Sequence, residues 1–310
     1  MSAPSKVAVI GAGLMGHGIA QVFAVHHYAV TIFDPNPKVL EAVHSRIRTN
    51  LHNLGEDPAA LERLSACPVL EQAVASTDFV VEAAPEDLEL KRKLFKAIEA
   101  AAPAEAILAS NTSVIPITQI MAGLADRTRC LGTHWWNPPF LVPLVEVIET
   151  EWTAPEVVDR TIALHTAIGK TAVHVKRDVA GFVGNRLQHA LWREAIALVE
   201  QGVCDAQTID TVIKASFGRR LAVLGPLENA DLVGTDLTLA IHKIVLGSID
   251  SRPYPSPYLE KLVADGCLGM KSGQGFRNWN ADDIAALQAR VTRHLRDAQL
   301  RDAENPTLSS

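Results

Sequence analysis

Short apolar runs recur through the first half of the chain: VAVI at 7–10, VTIF at 30–33, FVVEA at 79–83, AILAS at 106–110, CLGT at 130–133, LVEVI at 144–148 and AVHV at 172–175. Each has the length and apolar content of a buried strand. Helical patterns lie between most of them. Residues 87–101, DLELKRKLFKAIEAA, bring Leu90, Leu94, Phe95 and Ile98 to one face, and 155–168 do the same with Val157, Val158, Ile162 and Leu164. Alternating βα units predict an α/β Rossmann domain, a doubly wound and mostly parallel sheet with helices on both faces.

After Asp178 the pattern changes. From Gly181 to about Gly247 amphipathic helices succeed one another, with breaks at Gly202 and Gly218 and a start at Pro226. RPYPSP at 252–257 predicts a loop, KSGQG at 271–275 a turn, and 281–302 a charged terminal helix. The expected division is 1–178, a nucleotide-binding α/β domain, and 179–310, an all-α domain. So few helices cannot bury all their apolar faces within one subunit, which favours a homodimer through the second domain.

Composition narrows the class. The 310 residues are 48% hydrophobic and 21% charged, as in a soluble globular protein, and a net charge of −6 without long runs of one sign disfavours nucleic acid or an anionic membrane as partner. Four cysteines, Cys67, Cys130, Cys204 and Cys267, lie far apart with no CxxC or CxxH spacing, so they read as reduced thiols of a cytoplasmic protein and not as a metal site. The N-terminal apolar run carries glycines and lacks a signal-peptide cleavage pattern, and nowhere is there an apolar stretch of membrane-spanning length.

The most specific local signal is KVAVIGAGLMGHGIAQVF at 6–23. A strand feeds a glycine-rich turn and then a helix, the arrangement that binds a dinucleotide. Gly11 permits the turn, Gly13 lets bare backbone approach a pyrophosphate, and Gly16 lets the helix pack closely on the strand. Leu14 and Met15, within the turn, count with the glycines as cofactor-binding positions. The phosphates sit at the helix N-terminus, where unpaired N–H groups and the macrodipole favour an anion. Asp34, at the end of the next apolar run, can accept both ribose hydroxyls of an adenosine. A 2′-phosphate there would meet a like charge costing roughly 4 kcal/mol at about 4 Å and an effective dielectric of about 20. Pro35, Asn36 and Pro37 supply no arginine to offset it, so NAD is expected over NADP.

Three further segments place polar residues just beyond predicted strand ends, where open α/β sheets bind ligands: SNTS at 110–113, THWWNPP at 133–139 and GFVGNR at 181–186. With GPLENADLVGTD at 225–236 and GMKSGQGF at 269–276, they run in the order found in the L-3-hydroxyacyl-CoA dehydrogenase family, which this chain resembles over nearly its whole length. The resemblance implies an NAD-dependent dehydrogenase with His134 as general base, Glu146 as its partner, and Ser113 and Asn185 holding substrate and transition state. It also maps nicotinamide-side contacts onto Glu86, Lys91, Asn111, Asn137 and, more loosely, Lys271. The chemistry fits these types: hydride loss from a secondary alcohol requires that the hydroxyl proton leave, and an imidazole held in one tautomer by a carboxylate is a suitable acceptor.

Taken singly, each residue has an ordinary structural reading. His134 could be a structural hydrogen-bonder, Glu146 a strand-edge cap, Ser113 and Asn185 turn and helix-cap residues, and Lys91 and Lys271 solvated surface lysines.

The chain departs from the acyl-CoA pattern in three places. Leu51–Asp78 is shorter than the family's basic helical insertion and is net acidic, HWWNPPFLVPLVEV replaces HFFNPVPxMKLVEV, and RRLAVLGP at 219–226 replaces a shorter HPMGP-like passage. These features are similar to members that oxidise small free hydroxy acids, namely gulonate 3-dehydrogenase with its lambda-crystallin kin, carnitine dehydrogenase and a vitamin B6-degradation dehydrogenase. Arg220 could then grip a substrate carboxylate, or simply end a helix in solvent. Trp135 and Trp136 could wall the substrate pocket or belong to the core. The resemblance thus points to a small 3-hydroxy acid or related alcohol, with 3-hydroxybutyryl-CoA as the closest alternative substrate. A non-catalytic, crystallin-like NAD-binding protein is an alternative of another class. A lysine-dependent β-hydroxyacid dehydrogenase would need a lysine within 181–195, where there is none.

Overall fold

A computed structural model describes residues 5–304. They fall into two compact units, the first ending at Arg186 and the second starting at Leu187. In the first unit, strands β1 (Lys6–Ile10), β2 (Ala29–Phe33), β3 (Leu64–Cys67), β4 (Phe79–Glu82), β5 (Ile107–Ser110), β6 (Cys130–Trp135), β7 (Leu144–Ile148) and β8 (Thr171–Val175) form one sheet in the order β3-β2-β1-β4-β5-β6-β7-β8. β6 and β7 pair antiparallel, and every other neighbouring pair is parallel.

Burial of both faces explains the sequence of these strands. Val7, Val9, Phe79, Val81, Ile107 and Ala109 pack on one side with Ile19, Phe23 and Leu164, while Ala8, Ile10, Val80 and Leu108 pack on the other with Phe95, Ile98 and Ile120. Strands covered on both faces read as continuous apolar runs, which is how they stand out in the sequence. β3 does not, because LSAC buries only its leucine.

Helices α1 (Gly16–Val25), α2 (Pro37–Leu54), α3 (Leu70–Val74), α4 (Leu88–Ala101), α5 (Ile117–Met121) and α6 (Pro155–Ala167) complete the layers. Asp87 caps α4 by accepting from the Leu90 N–H at 2.8 Å. The inward face of α4 differs from the expected one. Phe95 and Ile98 are buried, but Lys91 is buried with them while Leu90 is 36% exposed.

The second unit is helical: the remainder of α7 (Gly184–Glu200), whose first turn belongs to the first unit, then α8 (Ala206–Ala215), α9 (Pro226–Val233), α10 (Thr235–Val245), α11 (Pro257–Ala264) and α12 (Ala281–Glu304). Gly202 stands in the left-handed region just beyond α7, a short 3₁₀ turn covers Phe217–Arg219, and Pro226 opens α9.

Candidate active site

The turn after β1 is built around two glycines where a side chain would force the backbone to move. Gly11 has φ +106°, and a Cβ on it would lie 2.7 Å from the Ala83 carbonyl oxygen. A Cβ on Gly16 would lie 1.7 Å from the Gly11 carbonyl oxygen, so α1 could not start where it does. Gly13 faces open space, with nothing within 4 Å of a Cβ placed there. A bare main chain at the mouth of a helix N-terminus is the cradle that a pyrophosphate requires, and the chain fits NAD at this point.

Asp34 sits at the end of β2 with one carboxylate oxygen 2.9 Å from the Ala12 N–H and the other 2.9 Å from the Asn36 N–H. Both bonds hold the acid against the glycine turn. An arginine also reaches the turn. Arg46, on α2, donates to the Ala12 carbonyl at 3.1 Å; it escaped the sequence reading because it lies 12 positions beyond Asp34. Leu14 is 63% exposed, whereas Met15 packs partly on the core.

Glu82, at the end of β4, and Lys91, on α4, form a wholly buried ion pair at 2.7 Å. Lys91 is therefore not a surface lysine. Its ammonium also meets the Ala84 carbonyl at 3.2 Å and Glu86 at 3.6 Å, and Glu82 accepts from the Ser110 hydroxyl at 2.6 Å. Glu86 accepts from the N–H groups of Ser113 and Val114, each at 3.0 Å, and from the Thr112 hydroxyl at 2.5 Å. Burial pushes the Glu86 carboxyl up, but these donors and Lys91 outweigh it and bring its pKa below the ordinary value. The SNTS loop is thus fastened to charged groups beneath it. Asn111, also buried, accepts from the Trp135 N–H at 2.8 Å.

The antiparallel register sets His134 directly opposite Glu146. His134 Nδ1 and Glu146 Oε2 are 2.7 Å apart, both side chains nearly out of solvent. The other carboxylate oxygen accepts from the N–H groups of Val183 and Gly184 at 2.9 and 3.0 Å, at the start of α7. Burial raises the Glu146 pKa, but the hydrogen bonds from His134, Gly184 and Val183 and the imidazole charge outweigh it, so the carboxylate stays ionised. Asn185, one residue further, donates its amide N–H to the Ser113 carbonyl at 2.8 Å. Ser113, His134, Glu146 and Asn185, from separate segments of the sequence, are thereby joined into one constellation.

Phe182 is a contributor that the sequence reading missed. It is fully buried with φ +48°, follows the left-handed Gly181, and lies 5.6 Å from the His134 ring centroid. These two left-handed residues turn the chain so that the next N–H groups meet Glu146; the only sequence signal was the GFVGNR motif. Trp136 covers His134 at 5.2 Å between ring centroids. It fits only because residue 184 is glycine, since a Cβ there would come 2.4 Å from the indole.

Trp135 corrects the expectation that both tryptophans wall the substrate. Side chains alternate along a strand, so it points to the opposite face from His134 and packs in the core against Phe23 and His165. Arg220 and Lys271 are exposed on the second unit. Asn137 follows the tryptophans and is joined to Pro138 by a cis peptide.

Residues 6–179 match the NAD-binding domain of 3-hydroxyacyl-CoA dehydrogenase, and residues 181–279 match its C-terminal domain. The chain belongs to the 3-hydroxyacyl-CoA dehydrogenase family. Membership makes it an NAD-dependent dehydrogenase acting on a CH–OH group. It is 39% identical to L-carnitine dehydrogenase of Streptomyces coelicolor over 302 residues, 94% of each chain. It is also 38% identical to a probable 3-hydroxybutyryl-CoA dehydrogenase of Bacillus subtilis, covering 88% of this chain and 97% of the relative. Among solved structures it resembles 5-formyl-3-hydroxy-2-methylpyridine 4-carboxylic acid 5-dehydrogenase, an NAD⁺-dependent dismutase. The TM-score is 0.89 at 34% identity, over 95% of this chain and 97% of the other.

One prediction follows from the turn. Gly16→Ala should weaken NADH binding by at least about tenfold while leaving a folded protein, because displacing α1 by even about 1 Å removes its N–H groups from the phosphates. Fluorescence titration with NADH measures it.

Proposed function

We propose that this dehydrogenase oxidises the secondary alcohol of a small free 3-hydroxy acid, or of a related free alcohol, with His134 as general base. His134 takes the hydroxyl proton on Nε2 while Glu146 holds the Nδ1–H and stabilises the imidazolium. Ser113 and Asn185 hydrogen-bond the oxygen as it becomes a carbonyl. NAD, when bound, accepts the hydride. Gly11, Gly13, Leu14, Met15, Gly16 and Asp34 hold its adenosine and phosphates in this reading, and Glu86, Lys91, Asn111, Asn137 and Lys271 serve its nicotinamide side. The observation that carries the assignment is the 2.7 Å bond between His134 and a Glu146 fixed from behind by two N–H groups.

For the substrate, support comes from the relatives named for carnitine and a pyridine carboxylic acid, and from the acidic stretch Leu51–Asp78, which offers a nucleotide-tailed thioester little attraction. Trp136 walls the pocket beside the base, and Arg220 is the proposed partner of a substrate carboxylate. The second reading, 3-hydroxybutyryl-CoA, is favoured by the Bacillus relative. The protein acts in the cytoplasm as a homodimer through its helical unit. Large apolar side chains at 72–82% exposure in that unit, Val223, Leu227, Leu232 and Ile244, support the association.

A panel of free hydroxy acids and 3-hydroxybutyryl-CoA, followed by NADH absorbance, decides between substrates; kcat/KM should be higher for a free acid, and preference for the thioester overturns that choice. Glu146→Gln should lower kcat by about 10³–10⁴, with NADH affinity little changed, because a glutamine amide donates to Nδ1 and leaves the proton on Nε2. Single-turnover rates and NADH titration measure the two effects.

A further inference from the structure

Lys170 follows the left-handed Gly169 at the turn from α6 into β8, and only 9% of it is exposed. Its ammonium donates to the Pro139 carbonyl and, at 3.0 Å, to the Val142 carbonyl, and it stands 5.2 Å from the centroid of the Trp135 ring. Both carbonyls belong to the connection 136–143. That connection leaves β6 just after His134 and Trp135 and enters β7 just before Glu146, so its two ends carry the base and its acid. The same segment abuts α1, where a Cβ on Gly18 would lie 3.0 Å from Pro139.

Burial is not what the charge is for. It pulls the Lys170 pKa down to about 8, and Glu56 is the charge that opposes this. Glu56 itself is held by the Gln21 amide at 3.0 Å. The other titratable groups facing the turn are His165, whose pKa burial lowers to about 4 and which is therefore neutral, and His26, whose Nε2 would lie 3.6 Å from a Cβ on Gly169. A methionine would fill the same space without the desolvation. What it would lack is a donor for two carbonyls on one loop.

We propose that Lys170 is a positioning residue of this dehydrogenase, its ammonium clamping the connection 136–143 so that Trp136 stands beside His134. The clamp loses its charge as pH rises through about 8. Charge-assisted hydrogen bonds are roughly twice as strong as neutral ones, so the loop loosens on the alkaline side. Oxidation then has an upper pH limit of its own. This inference rests on the dehydrogenase reading of the site.

The test compares wild type, Lys170→Met and Lys170→Arg in three measurements: NADH titration, kcat/KM from pH 6 to 10 with the best substrate of the panel, and amide hydrogen exchange of residues 136–143. Lys170→Met should fold, bind NADH within about threefold of wild type, and lose about 10- to 100-fold in kcat/KM at neutral pH, the scale expected when a positioned group moves by about 1 Å. Its loop should exchange faster at neutral pH, and the wild-type loop should do so above pH 8 after correction for intrinsic rates. Lys170→Arg, which keeps its charge at every pH used, should lack the falling alkaline limb. Wild-type kcat/KM in Lys170→Met, or an alkaline limb unchanged in Lys170→Arg, overturns the proposal. If Lys170→Met does not fold, the arginine variant and wild-type exchange decide it. If no hydroxy substrate is turned over while NADH binds, the functional reading fails, and the clamp stands or falls on exchange alone.

Discussion

Glu146 is a carboxylate taken almost entirely out of water and kept ionised by donors that the fold alone brings to it. One is the imidazole opposite, placed by the antiparallel register of β6 and β7. The others are the Val183 and Gly184 N–H groups, placed by the left-handed turn at Gly181 and Phe182. An ion at that depth without partners would be too costly to keep, and the group would be neutral. As it stands, the acid sets the tautomer of His134 and fixes the ring against Trp136 and Phe182. The sheet, the hairpin-like connection and the start of α7 are therefore all required for one side chain to have the right proton.

Helix N-termini are used twice in this domain for the same physical reason. At α1 the first-turn N–H groups, with Gly13 leaving the approach open, suit an anion from outside the chain. At α7 they are satisfied by an anion of the chain itself. Between the two lies a layer of buried charge, Glu82 with Lys91, that fixes the SNTS loop from below through Ser110, Glu86 and Thr112. A buried pair of this kind adds little stability over apolar packing, but removing one partner strands the other. Its contribution here is to geometry.

Much of the fold was legible because strands buried on both faces advertise themselves as apolar runs. β3 escaped, since three of its four residues are at least partly exposed. The glycine turn and the His134–Glu146 pair were legible as motifs, yet motifs do not carry direction. HWW reads as two equivalent tryptophans, whereas strand alternation sends Trp135 into the core and leaves Trp136 beside the histidine. Lys91 stands three, four and seven positions before Leu94, Phe95 and Ile98, so the helical period puts it on the inward face; a lysine there also allowed a surface reading, because the carboxylate that draws it inside, Glu82, lies on another element. Arg46 was invisible for a related reason, since what matters about it is a carbonyl partner on another segment, and Phe182, though inside the GFVGNR motif, gave no sign of the backbone conformation through which it acts.

Lys170 and Lys91 illustrate two solutions to the burial of an ammonium. Lys91 has a carboxylate at 2.7 Å and is neutralised locally, so its position responds to Glu82 and Glu86. Lys170 has main-chain carbonyls and an aromatic face, and its closest electrostatic support, Glu56, comes from another segment. Carbonyl dipoles and a ring quadrupole compensate a charge less completely than a carboxylate does. A lysine held in this way keeps its proton less firmly, so the loop it fastens is the part of the site whose geometry responds to alkaline pH.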